Sequence, residues 1–393
     1  MSTTAPVPKK EYFENLDGLR FIMAMVVVLS HSDFGKAVQK VVPGDFLKHL
    51  VWAAINGGFA VSVFFVLSGF LITYLMFEEQ QATSNFSIRN FYVRRILRIW
   101  PVYYASLLFS FVIYPVIKAQ IGHADLNPHN ALYQILFLGN FDNIRVDHAG
   151  LYEYSPMMIA INWSVSVEEQ FYIFWPLLFL LFRGRKIIYV ALTIVLASWV
   201  FRYVNTDHSK HIVHTFSVIT DLAVGAAMAY LAFYQREKVM RFFKNLPRRA
   251  IVMIYCAGAI LLMYNNLLYN DKFLDSCSRL IDSLFFAFII MEQNYAANSF
   301  FKFSHAKRIS SFGKYTYALY MFHPIGLQAA VLTFRYAGMQ HDTSFGNAML
   351  YVLITLVISF ALAVASYHLM ESKILKLRKY FYKEPAISPG VGA

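Results

Sequence analysis

The chain has 393 residues, of which 58% are hydrophobic and only 15% are charged. A soluble domain carries about 25% charged residues, so this composition excludes a soluble globular protein and indicates an integral membrane protein. The formal net charge of +12 then concerns the distribution of basic residues across a membrane, and nucleic-acid binding is not expected. Two cysteines, Cys256 and Cys277, exclude a disulfide scaffold and a cysteine-rich metal site.

Ten apolar segments follow one another along the chain, and most approach the roughly 20 residues that a membrane-spanning helix needs. They predict an all-α integral membrane protein, a bundle of about ten transmembrane helices over residues 16–33, 54–77, 99–118, 161–182, 187–204, 212–234, 250–268, 279–293, 312–333 and 347–370. Lys9 and Lys10 before the short first segment also fit a signal peptide. Because no Ala-x-Ala cleavage site follows, and Asp17 and Arg20 crowd the apolar core, we expect an uncleaved first span.

The basic residues predict the orientation of the bundle. With a cytoplasmic N-terminus, 25 of the 35 basic residues fall on the inner side. The positive-inside rule therefore predicts that both termini are cytoplasmic. Residues 1–383 are expected to form a single membrane domain, followed by a short disordered tail, 384–393. The long outer loop, about 119–160, contains an apolar stretch, 131–141, that is too short to span and is either re-entrant or interfacial.

The first span contains two ionisable residues. Such residues are energetically costly within a membrane and therefore indicate a functional site. Arg20 and His31 are eleven residues apart, about three helical turns, so both lie on one face and about 16 Å apart along the axis. Arg20 is expected near the inner surface and His31 toward the outer half. A neutral histidine is the usual general base near pH 7, although a simple hydrogen bond to another helix is the alternative interpretation.

An arginine cluster lies on the inner side before the third apolar run. In the segment from Asn90 to Pro101, Arg94 and Arg98 are four residues apart and Arg95 and Arg98 are three apart, so on a helix each pair shares a face. Guanidinium groups bind phosphate in a bidentate manner, and three of them beside aromatic residues favour a phosphorylated ligand. The alternative is a positive-inside anchor that contacts lipid headgroups.

Two adjacent acids, Glu168 and Glu169, lie about two turns into the fourth span and need partners or protonation. Adjacent residues do not share a helix face, so at most one is expected to reach a given site, and a buried ion pair is the alternative. Other polar residues within spans are expected to pack or to hydrogen-bond between helices; these are Asp221, Asp282, His323 with Pro324, and Glu371.

The second span is rich in small residues. Those between Gly57 and Gly69 permit close approach of another helix. Ser68 precedes Gly69 outside any G-x-S-x-G pattern, so it is not expected to be a nucleophile. The chain has no P-loop, no H-E-x-x-H and no dinucleotide fingerprint, and no metal is expected.

Five segments in order resemble the acyltransferase 3 family of membrane O-acyltransferases. Leu16 to Arg20, with His31, is similar to its Arg-x10-His signature; the others are Val63–Ile72, Phe91–Tyr103, Trp163–Tyr172 and Tyr315–Pro324. The last segment departs from the family pattern, because no residue separates His323 from Pro324. The resemblance implies ten spans and an acyltransferase domain, and the length implies that no esterase-like domain is fused to it.

The resemblance further implies a reaction. The family moves an acyl group, commonly acetyl, from cytoplasmic acyl-CoA to a hydroxyl, usually on a sugar of a cell-surface polysaccharide, lipopolysaccharide or glycolipid. We expect acyl-CoA (acetyl-CoA by default) to be the donor substrate. The resemblance also implies a place in the plasma (inner) membrane, with the acceptor on its extracytoplasmic side. The residues expected to bind the CoA phosphates are Arg20, Arg94, Arg95 and Arg98.

The expected catalytic residues are His31 and Glu168. His31 would take the proton of the acceptor hydroxyl, and Glu168 would orient His31 or stabilise its imidazolium. A covalent acyl-histidine is the open alternative. Competing hypotheses are a small hydroxylated acceptor such as a macrolide, a proton-coupled transporter, and a scaffold in a surface-polymer assembly. Binding of acyl-CoA by the arginine face discriminates the enzyme from the carrier.

Overall fold

A computed structural model describes residues 12–32, 34–120, 127–182, 184–339 and 344–381, and all regular structure within them is helical. Ten helices of 16 to 27 residues fall on the ten predicted segments. They are α1 (Glu14–His31), α2 (Gly57–Thr83), α3 (Ile88–Leu108), α4 (Asn162–Leu181), α5 (Ile187–Val204), α6 (Thr215–Tyr234), α7 (Arg248–Met263), α8 (Lys272–Tyr295), α9 (Thr316–Tyr336) and α10 (Phe345–Ser366). The all-α prediction is confirmed, while the predicted tail 384–393 lies outside the described residues.

Shorter helices connect or extend these ten. The α-helical pieces are Phe34–Val41, Asp45–Ala54, Tyr114–Gln120, Ala131–Ile135, Gly139–His148, Met157–Ala160, His208–Val213, Arg236–Asn245, Asn265–Leu268, Lys307–Ser311 and Ser372–Lys376. Phe109–Ile113 and Tyr367–Glu371 are π-helical, and Tyr152–Tyr154, Phe303–His305, Phe312–Tyr315 and Leu377–Phe381 are 3₁₀ turns. The largest boundary difference is in α3, which begins eleven residues before the predicted start, because Ser87 caps it by accepting the N–H of Asn90.

Five helices of the described residues are long and apolar enough to cross a membrane: Gly57–Thr83, Ile88–Gln120, Ile187–Val204, His208–Tyr234 and Phe345–Phe381. The number rises to seven if Glu14–His31 with Phe34–Val41, and Arg236–Asn245 with Arg248–Met263, each count as one bent span. The chain is therefore a multi-pass membrane protein. The three remaining long helices, α4, α8 and α9, have 20, 24 and 21 residues, and each carries buried polar side chains.

Helices α2 and α6 pack backbone against backbone through two glycines. A Cβ atom added to Gly69 would overlap the carbonyl oxygen of Leu222, and one added to Gly225 would overlap that of Val66. Small residues at such a crossing allow close van der Waals contact between helices in a membrane. The predicted role of the small residues in the second span is thus confirmed at Gly69.

Substituting alanine for Gly69 is expected to destabilise the protein, because the backbone atoms that the new methyl group meets cannot rotate away. We expect a loss of about 1–3 kcal/mol in the free energy of unfolding, as for other overpacked cores. Thermal unfolding of the detergent-solubilised protein measures it. Gly346→Ala is the matched control, since nothing lies within 4 Å of its Cβ position on α10. Equal melting temperatures for the two variants would contradict this account of the crossing.

The segment predicted to be the long outer loop, described from residue 127 to 160, folds onto the bundle. The apolar stretch expected to be re-entrant or interfacial forms two short helices, Ala131–Ile135 and the start of Gly139–His148. Asn140 Nδ2 donates to the carbonyl of Val213 (3.2 Å), and Gln170 Nε2 donates to the carbonyl of Phe137 (2.8 Å). These hydrogen bonds fix the loop against α4 and the start of α6.

Candidate active site

A cavity lies between α1, α2, α3, α4 and α9, with an empty volume of about 890 Å³ that includes its solvent-open part. The α2 side of the cavity is largely apolar. The polar lining comes from Arg20, Ser68, Arg95, Arg98, Ser164, Glu168 and Tyr172, and from Thr316, Tyr317 and Tyr320 of α9. Four of the six predicted site residues, Arg20, Arg95, Arg98 and Glu168, therefore share one cavity.

Three guanidinium groups make the cavity cationic. Arg95 and Arg98 are one turn apart on α3, so both reach the same face, and Arg20 joins them from α1. Arg20 Nη1 also lies 3.1 Å from Asp17 Oδ1, one turn earlier in α1, which holds the side chain in place. Glu168 is the one acidic residue in the described lining. The excess of positive charge suits an anionic ligand, and the fork geometry of arginine suits phosphate.

Arg94 lies elsewhere. Its Nη2 is 2.5 Å from Glu79 Oε2, its Nη1 donates to the carbonyl of Phe381 (2.6 Å), and the residue is buried. One residue along a helix turns the side chain by about 100°, so Arg94 points away when Arg95 faces the cavity. The structure thus gives Arg94 a buried ion pair between α2 and α3, and corrects the expectation that it shares a ligand-facing surface with Arg98.

Glu168 holds two hydroxyl groups at the cavity wall. Its Oε1 accepts hydrogen bonds from Ser68 of α2 and from Tyr172, one turn further along α4. The hydroxyl oxygens of Ser68 and Tyr172 also lie within hydrogen-bond distance of each other, so the three side chains form one compact group. The guanidinium of Arg95 lies 5.8 Å from the centre of the Tyr172 ring. Glu168 therefore belongs to a polar cluster that connects α2 and α4 beside the cationic wall.

The imidazole beside His31 is that of His323. Nε2 of His323 lies 3.1 Å from Nδ1 of His31, and the two ring planes differ by 21°. Nδ1 of His323 lies 2.6 Å from the carbonyl oxygen of Tyr320, which can only accept, so this nitrogen carries the proton. In neutral His323 the Nε2 atom then accepts from His31 Nδ1–H. This tautomer, assigned from the hydrogen-bond network, leaves a lone pair on Nε2 of His31, as a general base requires.

The two catalytic predictions, His31 and Glu168, lie at different depths. At the N-terminal end of α2, Gly57 packs against Ser30, the neighbour of His31. Ser68, the partner of Glu168, is eleven residues further along α2, which is about 16 Å along the axis. His31 is thus oriented by His323, not by Glu168 as expected. Tyr320 joins the two levels, because it lines the cavity and its carbonyl accepts from His323.

One protein-family model matches most of the chain. The model of the acyltransferase 3 family, described as an acyltransferase domain, matches residues 13–368. The chain belongs to this family. The match covers α1 to α10 and therefore every residue that lines the cavity, together with the His31–His323 pair.

The chain is similar to two proteins that are named O-acetyltransferases. The chain is 27% identical over 269 residues to the peptidoglycan O-acetyltransferase OatA of Listeria monocytogenes, covering 64% of this chain and 38% of that protein. It is 26% identical over 329 residues to the O-acetyltransferase OatA of Staphylococcus aureus, covering 79% of this chain and 50% of that protein. The chain thus spans half or less of the length of these relatives. No solved structure matches it.

Three further buried acids, Asp221, Asp282 and Glu371, make hydrogen bonds within this acyltransferase domain, as expected. Asp221 of α6 accepts from Arg279 Nε at 3.2 Å and from the hydroxyl of Ser283, both on α8. Asp282 accepts from Asn265 (3.2 Å), and Glu371 from Ser366 (2.9 Å). These bonds join neighbouring helices, or successive turns in the case of Glu371.

The structure brings to the site residues that were not predicted as site residues, among them His323, which was expected only to pack or to hydrogen-bond between helices. Ser68, Tyr172, Tyr317 and Tyr320 line the cavity, and His323 pairs with His31. Each lies inside a segment that resembles the family, so the motifs contained them. These residues differ from other polar residues in the contacts that they make with helices distant in sequence. A single sequence does not reveal such contacts.

Proposed function

We propose that this protein is a membrane O-acyltransferase that moves an acyl group, acetyl in the first instance, from acyl-CoA to a hydroxyl of a cell-surface glycan. The observation that carries the proposal is the joining of a cationic cavity to a histidine pair through Tyr320. The cavity supplies charge for the phosphates of the donor. The histidine pair supplies a base for the acceptor.

The donor is proposed to enter from the cytoplasmic side. The proposed orientation rests on the positive-inside rule, because 25 basic residues fall on the inner side if the chain spans ten times with both termini inside. In this orientation the cavity arginines face the cytoplasm. Arg20 and His31 are about 16 Å apart along α1. An extended pantetheine arm matches that length, so phosphates bound at Arg20, Arg95 and Arg98 bring the thioester toward His31.

The proposed reaction needs one base. Nε2 of His31 takes the proton of the acceptor hydroxyl as its oxygen forms a bond to the thioester carbonyl carbon. The carbon–sulfur bond breaks, the thiolate leaves, and the proton held by His31 returns to it as the thiol of CoA. His323 stabilises the imidazolium of His31 through its own Nε2, which is the part of an orienting partner.

The acceptor is proposed to be a hydroxyl of a cell-envelope glycan on the outer side of the plasma membrane. The relative from Listeria monocytogenes bears the name peptidoglycan O-acetyltransferase, which points to a glycan polymer. In the outer loop, Tyr152 and Tyr154 are 54% and 58% exposed, and such rings offer flat apolar surface beside hydroxyl groups for a sugar.

Transfer of isotope-labelled acetyl from acetyl-CoA tests the proposal. Sealed membrane vesicles that contain the wild-type protein are given the labelled donor on the cytoplasmic face, and glycans are analysed by mass spectrometry. We expect an O-acetyl mass on the glycan that depends on the protein. Free acetate as donor is the control, because it lacks the phosphates that the arginines bind. Label that appears equally with both donors contradicts the proposed donor.

A further inference from the structure

Three side chains of the outer loop form a hydrogen-bonded row. Ser155 Oγ lies 2.5 Å from Nε2 of His129, and Nδ1 of His129 lies 2.8 Å from Oδ2 of Asp142. The three come from different parts of the loop. Asp142 is on the helix Gly139–His148, His129 precedes the helix Ala131–Ile135, and Ser155 follows the turn Tyr152–Tyr154. The order serine, histidine and carboxylate is that of enzymes that form acyl-serine esters.

The carboxylate end of the row is ionised. Asp142 is buried, and burial raises its pKa, but hydrogen bonds from His129, Arg145 and Gln134 outweigh burial and hold the pKa below its usual value. Arg145 donates to Oδ1 through Nε (3.0 Å) and Nη2 (2.6 Å), and Gln134 Nε2 donates to Oδ2 (3.1 Å). Asp142 is therefore a carboxylate at neutral pH.

The ionised carboxylate fixes the other protons. A carboxylate only accepts, so Nδ1 of His129 carries a proton and donates it to Asp142. In the neutral imidazole Nε2 then holds a lone pair, and the hydroxyl of Ser155 donates to it. This is the arrangement in which a histidine removes the proton of an attacking serine.

Burial along the row suits a nucleophile. The side chains of His129 and Asp142 have no exposed surface, whereas Ser155 is partly exposed. The surrounding loop is held by the bundle, since the N–H of Gly139 donates to Ser166 (3.1 Å) on α4. A base and carboxylate shielded from water behind an accessible hydroxyl are preorganised for acyl transfer.

A second serine and histidine nearby show what a merely structural contact looks like. Ser209 lies 3.4 Å from Nε2 of His148, and the same nitrogen lies 2.7 Å from Asp207. Here the serine and the carboxylate contact the same ring nitrogen. His148 therefore cannot take the serine proton on one nitrogen while the carboxylate holds the other. Of these two clusters, only the one at Ser155 has the serine at one ring nitrogen of its histidine and the carboxylate at the other.

We propose that Ser155, His129 and Asp142 form a second acyl-transfer centre, in which Ser155 takes the acyl group as an ester and passes it to the acceptor. Ser155 Oγ forms a bond to the acyl carbonyl carbon while its proton moves to Nε2 of His129. The bond from that carbon to the donor sulfur or oxygen breaks, and the leaving group takes the proton from His129. An acceptor hydroxyl then attacks the ester, gives its proton to His129, and Ser155 regains one as it leaves.

The identity of the acyl donor rests on the proposed function, but the reactivity of Ser155 does not. The test therefore uses a fluorophosphonate, which labels activated serines without acyl-CoA. The full chain, purified in detergent, is labelled and digested, and the modified peptide is identified by mass spectrometry. We expect label on Ser155, none on that peptide in Ser155→Ala, and a labelling rate about 10²- to 10⁴-fold lower in His129→Gln, the range of a lost general base.

Ser209→Ala is the matched control and is expected to label at the wild-type rate. Because His129 is buried, thermal unfolding of His129→Gln is measured alongside, and Ser155→Cys, which changes one atom, is expected to lose the fluorophosphonate label without loss of stability. Absence of label on Ser155, or label that His129→Gln leaves unchanged, overturns the proposal. Labelled Ser155 in a protein that transfers no acetyl to glycan would leave this centre standing and refute the proposed function instead.

Discussion

His31→Ala is expected to lower the rate of O-acyl transfer by about 10²- to 10⁴-fold, the contribution typical of a positioned general base. The reason is geometric. Nε2 of His31 is left with a lone pair because Nδ1 donates to His323, and alanine has no replacement for it. The measurement is the O-acetyl content of surface glycans, by mass spectrometry, in cells and vesicles that contain equal amounts of each variant.

His208→Ala is the matched control for His31→Ala. His208 is exposed and lies outside the cavity lining, so the same chemical change is expected to leave transfer unaltered. If the O-acetyl mass persists in His31→Ala at the wild-type level, the base assignment is wrong. Persistence in both variants, with normal protein abundance, would also favour a scaffold over an enzyme.

His323 gives a graded version of the same experiment. Glutamine at position 323 retains an acceptor oxygen for the N–H of His31, whereas alanine has none. We expect His323→Gln to retain more activity than His323→Ala, with the loss in kcat and little change in the KM for acetyl-CoA, because His323 positions the base and lies outside the donor cavity. Equal loss in both variants, accompanied by a higher KM, would assign His323 to donor binding.

The helices of this protein were predictable because each contains an apolar run that can be recognised within a short window of the sequence. An apolar run of sufficient length predicts a span wherever it occurs, and all ten segments became helices. The start of α3 was missed because its first turns hold Arg89, Arg94 and Arg95, which lower the hydropathy that defines a span. The cap that begins it, Ser87, is a local signal that hydropathy does not measure.

Direction around a helix was only partly predictable. Spacing placed Arg95 and Arg98 on one face, and the structure does the same. It equally placed Arg94 with Arg98, and there the outcome depended on Glu79, which lies fifteen residues earlier on another helix and takes Arg94 into an ion pair. Partners on other helices, such as Glu79, therefore decide which face of α3 lies against the cavity.

Partnerships between distant residues account for the remaining differences. His31 and His323 are separated by 292 residues and Ser68 and Glu168 by 100, so neither pair leaves a pattern in any window of the sequence. His31 was expected to pair with Glu168 by analogy with enzymes in which a carboxylate orients a histidine base. This expectation failed because the register of α1 against α2 sets the two residues about three turns apart.

Arg95→Ala and Arg98→Ala are each expected to weaken CoA binding by about 10- to 100-fold. A hydrogen bond to a charged group contributes about 1.5–3 kcal/mol, and 1.4 kcal/mol corresponds to a factor of ten in Kd. Both side chains line the cavity together with Arg20, where they are placed to meet phosphate groups. The measurement is the rise in melting temperature with CoA concentration, which reports the ratio of ligand concentration to Kd.

Arg89→Ala is the matched control, because Arg89 is exposed on the same helix and lies outside the cavity lining. It removes the same charge, so a general electrostatic effect would appear there too. Pantetheine, which is the CoA arm without its nucleotide, separates the two ends of the site. If the arginines bind the nucleotide phosphates, pantetheine affinity stays unchanged in Arg98→Ala while CoA affinity falls. Unchanged CoA affinity in both cavity variants would remove the donor from this cavity, and would leave its charge to a transported anion, as in a carrier.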